Sequence, residues 1–150
     1  MNDEYFMRQA IALAKEAAAE GEVPVGAVVV FDGKIVGKGR NRREISKNAL
    51  AHAEIEAINE ACRALGGWRL WQCDIYVTLE PCPMCTGAII NSRIKRLVYG
   101  ASDYKAGSCG SVIDLFSLPY NHKPEVAKGV MQEECAALLS DFFKKLRKKL

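Results

Sequence analysis

The chain has 150 residues, 49% hydrophobic and 26% charged, with a net charge of +3. This is an ordinary globular balance, long enough for one domain over residues 1–150, and no apolar run approaches the ~20 residues a bilayer needs. The start reads as a charged amphipathic helix rather than a signal peptide, so the six cysteines point to a reducing cytoplasm more than to a disulfide framework.

In chain order, Asn2 or Asp3 caps a first helix. Phe6, Ala10, Leu13, Ala14 and Ala17 recur along it at helical spacing, and Gly21 ends it. Residues 25–31 read as a buried strand, Asp32-Gly33 as a hairpin turn, and residues 34–41 as the returning strand. A polar loop over 41–50 leads to a second helix from about His52 to Leu65, with Ile55, Ile58, Cys62 and Leu65 as its buried face. Gly66-Gly67 stops that helix. Cys73, Ile75, Val77 and Leu79 alternate with Asp74, Tyr76 and Thr78 in a third strand, which feeds a short helix over 83–91. Residues 96–100 form another strand, 101–111 a long Gly- and Ser-containing loop, 114–124 an irregular stretch and 125–130 a last strand. The final helix runs over 132–149, with Cys135, Leu138, Leu139, Phe142 and Leu146 as its buried stripe.

Helices alternating with strands after residue 50 demand parallel pairing, and the opening hairpin adds two antiparallel strands to the same five-stranded mixed sheet. The expected class is α/β, a three-layer α/β/α domain. In such sheets ligands gather where strands end and helices begin.

Two short segments lie at that edge: His52-Ala53-Glu54 and Pro81-Cys82-Pro83-Met84-Cys85. Cys82 and Cys85, at i and i+3 with Pro83 as a first helical residue, share one face of a helical turn. A helix N-terminus also lowers thiol pKa, and the thiolate is the metal ligand. His52 and Glu54 are two apart, so both face one site only if they open a helix. One imidazole and two thiols make three zinc ligands, which leaves a fourth position for water, and zinc can bring that water's pKa to about 7. Glu54 is then placed to carry its proton. This is hydrolytic chemistry on an electrophilic carbon. A structural zinc would want a fourth ligand, for which His122 and Cys109 are the candidates; Cys62, Cys73 and Cys135 read as core.

The H-x-E…P-C-x-x-C arrangement resembles the zinc-dependent cytidine/deoxycytidylate deaminase superfamily. Residues 22–27, 51–54, 79–82, 91–94 and 141–143 resemble, within it, the bacterial tRNA-specific adenosine deaminases, a likeness that covers nearly the whole chain. The resemblance implies a cytidine deaminase-like fold and a homodimer with one zinc per subunit, held by His52, Cys82 and Cys85. It implies adenosine-to-inosine conversion at the wobble position of a tRNA anticodon arm, with Glu54 as proton shuttle. It also implies that Asn41 contacts the flipped nucleotide, that Val25 and Ala27 form the pocket wall, and that the Ala53 N–H meets the base edge. Asp103 would lie by the sugars, and Asn121 and His122 would handle anticodon bases. The loop at Pro119-Tyr120 reads one residue shorter than the family pattern.

Charge bears on the partner. Residues 1–30 carry a net of −3, which leaves +6 for the rest, and five of those charges are Lys144, Lys145, Arg147, Lys148 and Lys149. Beside Phe143 this can be an RNA footprint, or simply cations suited to a helix C-terminus. Deamination of a free base or nucleotide (guanine, cytosine, dCMP) uses the same zinc chemistry, so the metal motif alone leaves it open. The non-enzyme reading is a structural zinc module or a silent deaminase subunit, and the presence of Glu54 argues against it.

Overall fold

The structure, a computed structural model, describes residues 2–149. The first helix, α1 (Asp3–Ala19), is capped by Asn2, whose side-chain oxygen accepts from the Tyr5 amide at 3.2 Å. β1 (Gly26–Phe31) and β2 (Lys34–Arg40) form an antiparallel hairpin. Its turn residues Asp32 and Gly33 have φ of 52° and 74°, the left-handed pair a type I′ turn requires. The loop after β2 holds one helical turn, α2 (Arg43–Ser46). The chain continues through α3 (Ala53–Leu65), β3 (Cys73–Leu79), α4 (Pro83–Asn91), β4 (Arg96–Ala101), β5 (Glu125–Lys128) and α5 (Gln132–Lys148).

The sheet order is β2-β1-β3-β4-β5, with β1 antiparallel to both neighbours and β3, β4 and β5 parallel. Parallel neighbours need a crossover, usually a helix. Between β4 and β5 it is instead residues 102–124, whose only regular element is a 3-10 turn at Leu115–Ser117. Alternation along the strands divides the core. Val28, Val30, Tyr76 and Val98 pack with Phe6, Met7 and Ala10 of α1 and Cys135 of α5. Ala27, Val29, Ile75, Val77 and Leu97 pack on the other face with Ala57 and Ala61 of α3 and Ile89 and Ile90 of α4. Asp3 ties α1 to the sheet, accepting from Arg96 at 2.6 and 2.8 Å and from the Tyr76 hydroxyl at 2.7 Å.

Two buried faces differ from expectation. On α3 the covered residues are Ala53, Glu54, Ala57, Ile58 and Ala61, while Ile55 and Cys62 are half-buried and Leu65 is exposed. The cause lies in β2: a Cβ at Gly37 or Gly39 would overlap the carbonyl oxygens of Ala57 or Ala53. The helix sits directly on glycine backbone, where alanines fit and larger side chains do not. On α5 only Cys135 is buried; Leu138, Leu139 and Phe142 are half-covered and Leu146 is exposed. That helix lies against β3, β4 and α1 by its first turns. All six cysteines are free thiols, and among the described residues no helix is long and apolar enough to cross a membrane.

Candidate active site

Two chain segments meet at the carboxyl edge of β3. His52 is the N-cap of α3, with extended φ/ψ of −82° and 153°, so Glu54 falls at its second residue. Cys82 is the N-cap of α4, Pro83 opens that helix, and Cys85 is buried in its first turn. His52 Nδ1 stands 3.6 Å from Cys82 Sγ and 3.5 Å from Cys85 Sγ. Tetrahedral zinc, with bonds of about 2.3 Å to sulfur and about 2.0 Å to nitrogen, places such a pair ~3.5 Å apart. The three donors therefore fit that ion, and soft thiolates with an imidazole are its characteristic set. Among the described residues these are the side chains whose metal-ligating atoms gather within 4.8 Å of one another. Cys109 is turned to Thr86 Oγ1 at 3.3 Å, and His122 lies at the far edge of the sheet, so neither supplies a fourth ligand.

The electrostatics follow from crowding. The Cys85 thiol, then the His52 ring, stabilise charge on Cys82 by hydrogen bonding and hold it down to about 4. Cys85, donating to that sulfur and buried, is pushed well above the ordinary thiol range. The Cys82 hydrogen bond raises His52. Metal binding needs both sulfurs ionised, so it would release the Cys85 proton. Glu54 is 4% exposed, and burial pushes its carboxyl up to about 7, near the range a general acid–base needs at neutral pH.

These groups open into a cavity of about 250 Å³, walled also by Val25, Asn41, Ala53, Leu79 and Asp103. Asn41 is buried; its Nδ2 donates to Val23 O at 3.2 Å and its Oδ1 accepts from the Arg43 amide at 3.4 Å. It is turn chemistry and cavity wall at once. Asp103 caps its own loop, with Oδ1 accepting from the Lys105 and Ala106 amides at 3.0 and 3.3 Å.

Two groups of expected residues lie elsewhere. Ala27 is fully buried and paired with Gly39 and Val77, two residues inward of Val25 and beneath α3, so it is core rather than pocket wall. His122 meets the Ile94 carbonyl at 2.7 Å through Nε2, just before β4, and Asn121 precedes it; this fold does not bring that pair to the cavity of the chain. Phe143, Lys144, Lys145, Arg147 and Lys148 are all exposed on the distal half of α5.

Two buried carboxylates had no role in the sequence reading. Glu80, 2% exposed, accepts from the amides of Asp103, Cys109 and Ser111 at 3.0, 3.0 and 3.1 Å and from the Ser111 hydroxyl at 2.5 Å. Burial pushes Glu80 up, but these four bonds outweigh it and leave the carboxyl below its ordinary 4.5. Glu22, 1% exposed, accepts from the Glu44 and Ile45 amides at 3.2 and 2.7 Å, seated on the first turn of α2. Glu80 thus fixes the loop that carries Asp103, and Glu22 the loop that follows Asn41. The one available signal was Glu80 lying directly before Pro81-Cys82.

A mixed sheet with H-x-E and P-C-x-x-C on two helix starts at its carboxyl edge defines a cytidine deaminase-like fold carrying a hydrolytic deaminase site. Residues 1–147 match the profile of the MafB19-like deaminases, and the chain belongs to that family. The tRNA-specific adenosine deaminase of Bacillus subtilis is 50% identical over 98% of this chain and 92% of its own length. That of Haemophilus influenzae is 50% identical over 97% of this chain and 85% of its own. A solved structure from studies of A-to-I editing by tRNA:A34 deaminases superposes with a TM-score of 0.88 at 46% identity, covering 90% of this chain and 99% of that one.

Proposed function

We propose that the protein deaminates adenosine to inosine at the wobble position of a tRNA anticodon, with zinc held by His52, Cys82 and Cys85. The observation that carries the chemistry is a buried carboxylate, Glu54, beside a three-donor metal group inside a cavity. Near-full-length relatives with 50% identity, themselves tRNA-specific adenosine deaminases, support the substrate.

A loop nucleotide turns into the cavity, at a cost of a few kcal/mol when it is already unstacked. Val25 and Leu79 supply apolar wall, and Asn41 presents a fixed amide. The first N–H groups of α3 have no intrahelical partner, so the Ala53 amide is free to donate to the base edge. Zinc, when bound, supplies a Lewis acid that makes a water reactive near pH 7. Glu54 takes the water's proton and passes it to adenine N1 as the water oxygen bonds to C6; it then carries the remaining hydroxyl proton to the amino group, so that the C6–N bond breaks, ammonia leaves and the C6 carbonyl of inosine forms. Asp103 faces the sugar, where a carboxylate can accept from a 2′-hydroxyl. Phe143 and the basic end of α5 hold neighbouring RNA by stacking and phosphate attraction. The enzyme works as one catalytic domain per subunit, as a homodimer, in the cytoplasm where tRNA is processed.

The test is to incubate purified protein with total tRNA, free nucleosides and free bases, and to analyse products. Inosine in tRNA is expected. Xanthine or uracil from free bases, with no inosine in tRNA, would replace this reading with small-molecule deamination.

A further inference from the structure

The loop after β2 is held by side chains from outside it rather than by packing. Residues 43–50 are all exposed, and no residue of α2 is buried. A four-residue helix does not persist on its own hydrogen bonds. Its N-cap residue, Arg42, makes no side-chain capping bond either. The free amides of its first turn are met by two distant side chains instead. The Arg43 amide donates to Asn41 Oδ1 at 3.4 Å, that of Glu44 to Glu22 Oε1 at 3.2 Å and that of Ile45 to Glu22 Oε2 at 2.7 Å. Glu22 is 1% exposed and directly precedes Val23. Its carboxylate therefore joins two stretches of the cavity wall, Val23 and Val25 on one side, Asn41 and Arg43 on the other.

Arg43 gives this clasp a consequence for the substrate. Among the residues that line the cavity it alone carries a permanent positive charge, in the company of Glu54, Glu80 and Asp103. Among the described residues it takes part in no ion pair. A nucleotide that enters the cavity brings a phosphate to its mouth, and a guanidinium meets phosphate with two parallel hydrogen bonds. Arg43 is the first residue of α2, so the direction of its side chain depends on whether that turn is formed. Only a carboxylate offers an acceptor oxygen to each of two neighbouring amides, which is the arrangement that Glu22 makes with Glu44 and Ile45.

We propose that Glu22 is a positioning residue for the deamination: by forming α2 it holds Arg43 at the mouth of the cavity, where the guanidinium takes the phosphate of the entering nucleotide. Glu22 thus governs capture of the substrate and leaves the proton path through Glu54 untouched. This rests on a nucleotide of tRNA being the substrate.

The test is a double-mutant cycle on the zinc-loaded protein, with wild type, Glu22→Gln, Arg43→Ala and the two combined. Gln keeps the size of the side chain but turns an NH2 toward one of the two amides. Each form is measured for kcat and KM on tRNA and for equilibrium binding of the same tRNA. Glu22→Gln is expected to raise KM about tenfold with kcat changed by less than about threefold, the pattern of lost binding rather than lost chemistry. Arg43→Ala is expected to raise KM by a similar factor. The combined variant should then show about a tenfold rise rather than about a hundredfold one, because one residue acts through the other. Losses that multiply, or an unchanged KM in Glu22→Gln, would overturn the proposal. So would a fall in kcat with KM unaltered. Hydrogen exchange on wild type needs no variant to fold: the Glu44 and Ile45 amides should be protected, and exchange at the rate of an unstructured chain would undo the clasp. No inosine from wild type would sink the deaminase reading, while the coupling seen in tRNA binding would still decide for or against Glu22. Inosine formation with independent losses would overturn the role of Glu22 and leave the deaminase standing.

Discussion

The carboxyl edge of the sheet and the far end of α5 are both polar, and they are built in opposite ways. At the carboxyl edge the charged groups are buried and tied: Glu54 at 4% exposure, Glu80 at 2% with four donors, and Glu22 at 1% with two amides. On α5 the cations from Lys144 onward are all exposed, and Leu146 stands 47% exposed among them. A buried, hydrogen-bonded group keeps one geometry and acts on one atom, whereas an exposed charge acts through the field it adds to its neighbours. Substitutions at the first edge should therefore give large effects that depend on geometry. Those at the second should give graded effects that depend on salt.

The largest effect is expected at Glu54. Glu54→Ala should retain one zinc per chain and an unchanged circular dichroism spectrum, while inosine formation falls about 10²–10⁴-fold. Substantial turnover by the zinc-loaded variant would remove the carboxylate from the proton path.

Next comes Glu80. In Glu80→Gln the side-chain NH2 faces a buried amide donor, and leaving one such group unsatisfied costs about 1–3 kcal/mol. A loss of about 2 kcal/mol in denaturant titration is expected, with faster hydrogen exchange confined to the 103–111 loop. The acid limb of stability sharpens this. The folded Glu80 carboxyl lies below its ordinary 4.5, so the unfolded chain binds the proton more tightly. Its contribution is then complete above about pH 4.5 and is lost as pH falls further. Asp3 behaves likewise below its ordinary 3.8, because the Arg96 hydrogen bonds lower it. Glu80→Gln should flatten the wild-type loss below pH 4.5; an unaltered acid limb would mean that the carboxylate is not what pins the loop.

At the other region, removal of residues 144–150 should weaken tRNA binding about tenfold near 0.1 M salt, with a shallower salt slope and an unchanged turnover number. Equal binding across the titration would reduce the α5 cations to a solubility feature. The smallest effect is expected for Asp103→Asn, which should narrow the preference for RNA over the matching DNA by a few-fold. A constant ratio would confine Asp103 to capping its own loop.

Much of the carboxyl edge was legible in the sequence, for local reasons. His52 and Glu54 share a site only at a helix start, and Pro83 between Cys82 and Cys85 marks another; both helices begin where that geometry requires. What was not legible depended on distant partners. The face that α3 buries was decided by Gly37 and Gly39 in β2, so Ala57 and Ala61 turned inward and Leu65 outward. Ala27 sat on the right strand but one pair too deep. The position of His122 depends on β5 pairing parallel to β4 after a long loop, which puts its approach at the sheet edge away from the cavity. Glu80 acquired its work only when residues 103–111 folded back over it.

The central claim is a zinc ion with three protein donors and one open position. X-ray absorption on the purified protein, with metal content by atomic emission, measures this directly. The account predicts one zinc per chain with two sulfur ligands near 2.3 Å, one imidazole nitrogen and one oxygen from solvent. A chain that binds no zinc, or holds it with four protein ligands, would contradict it.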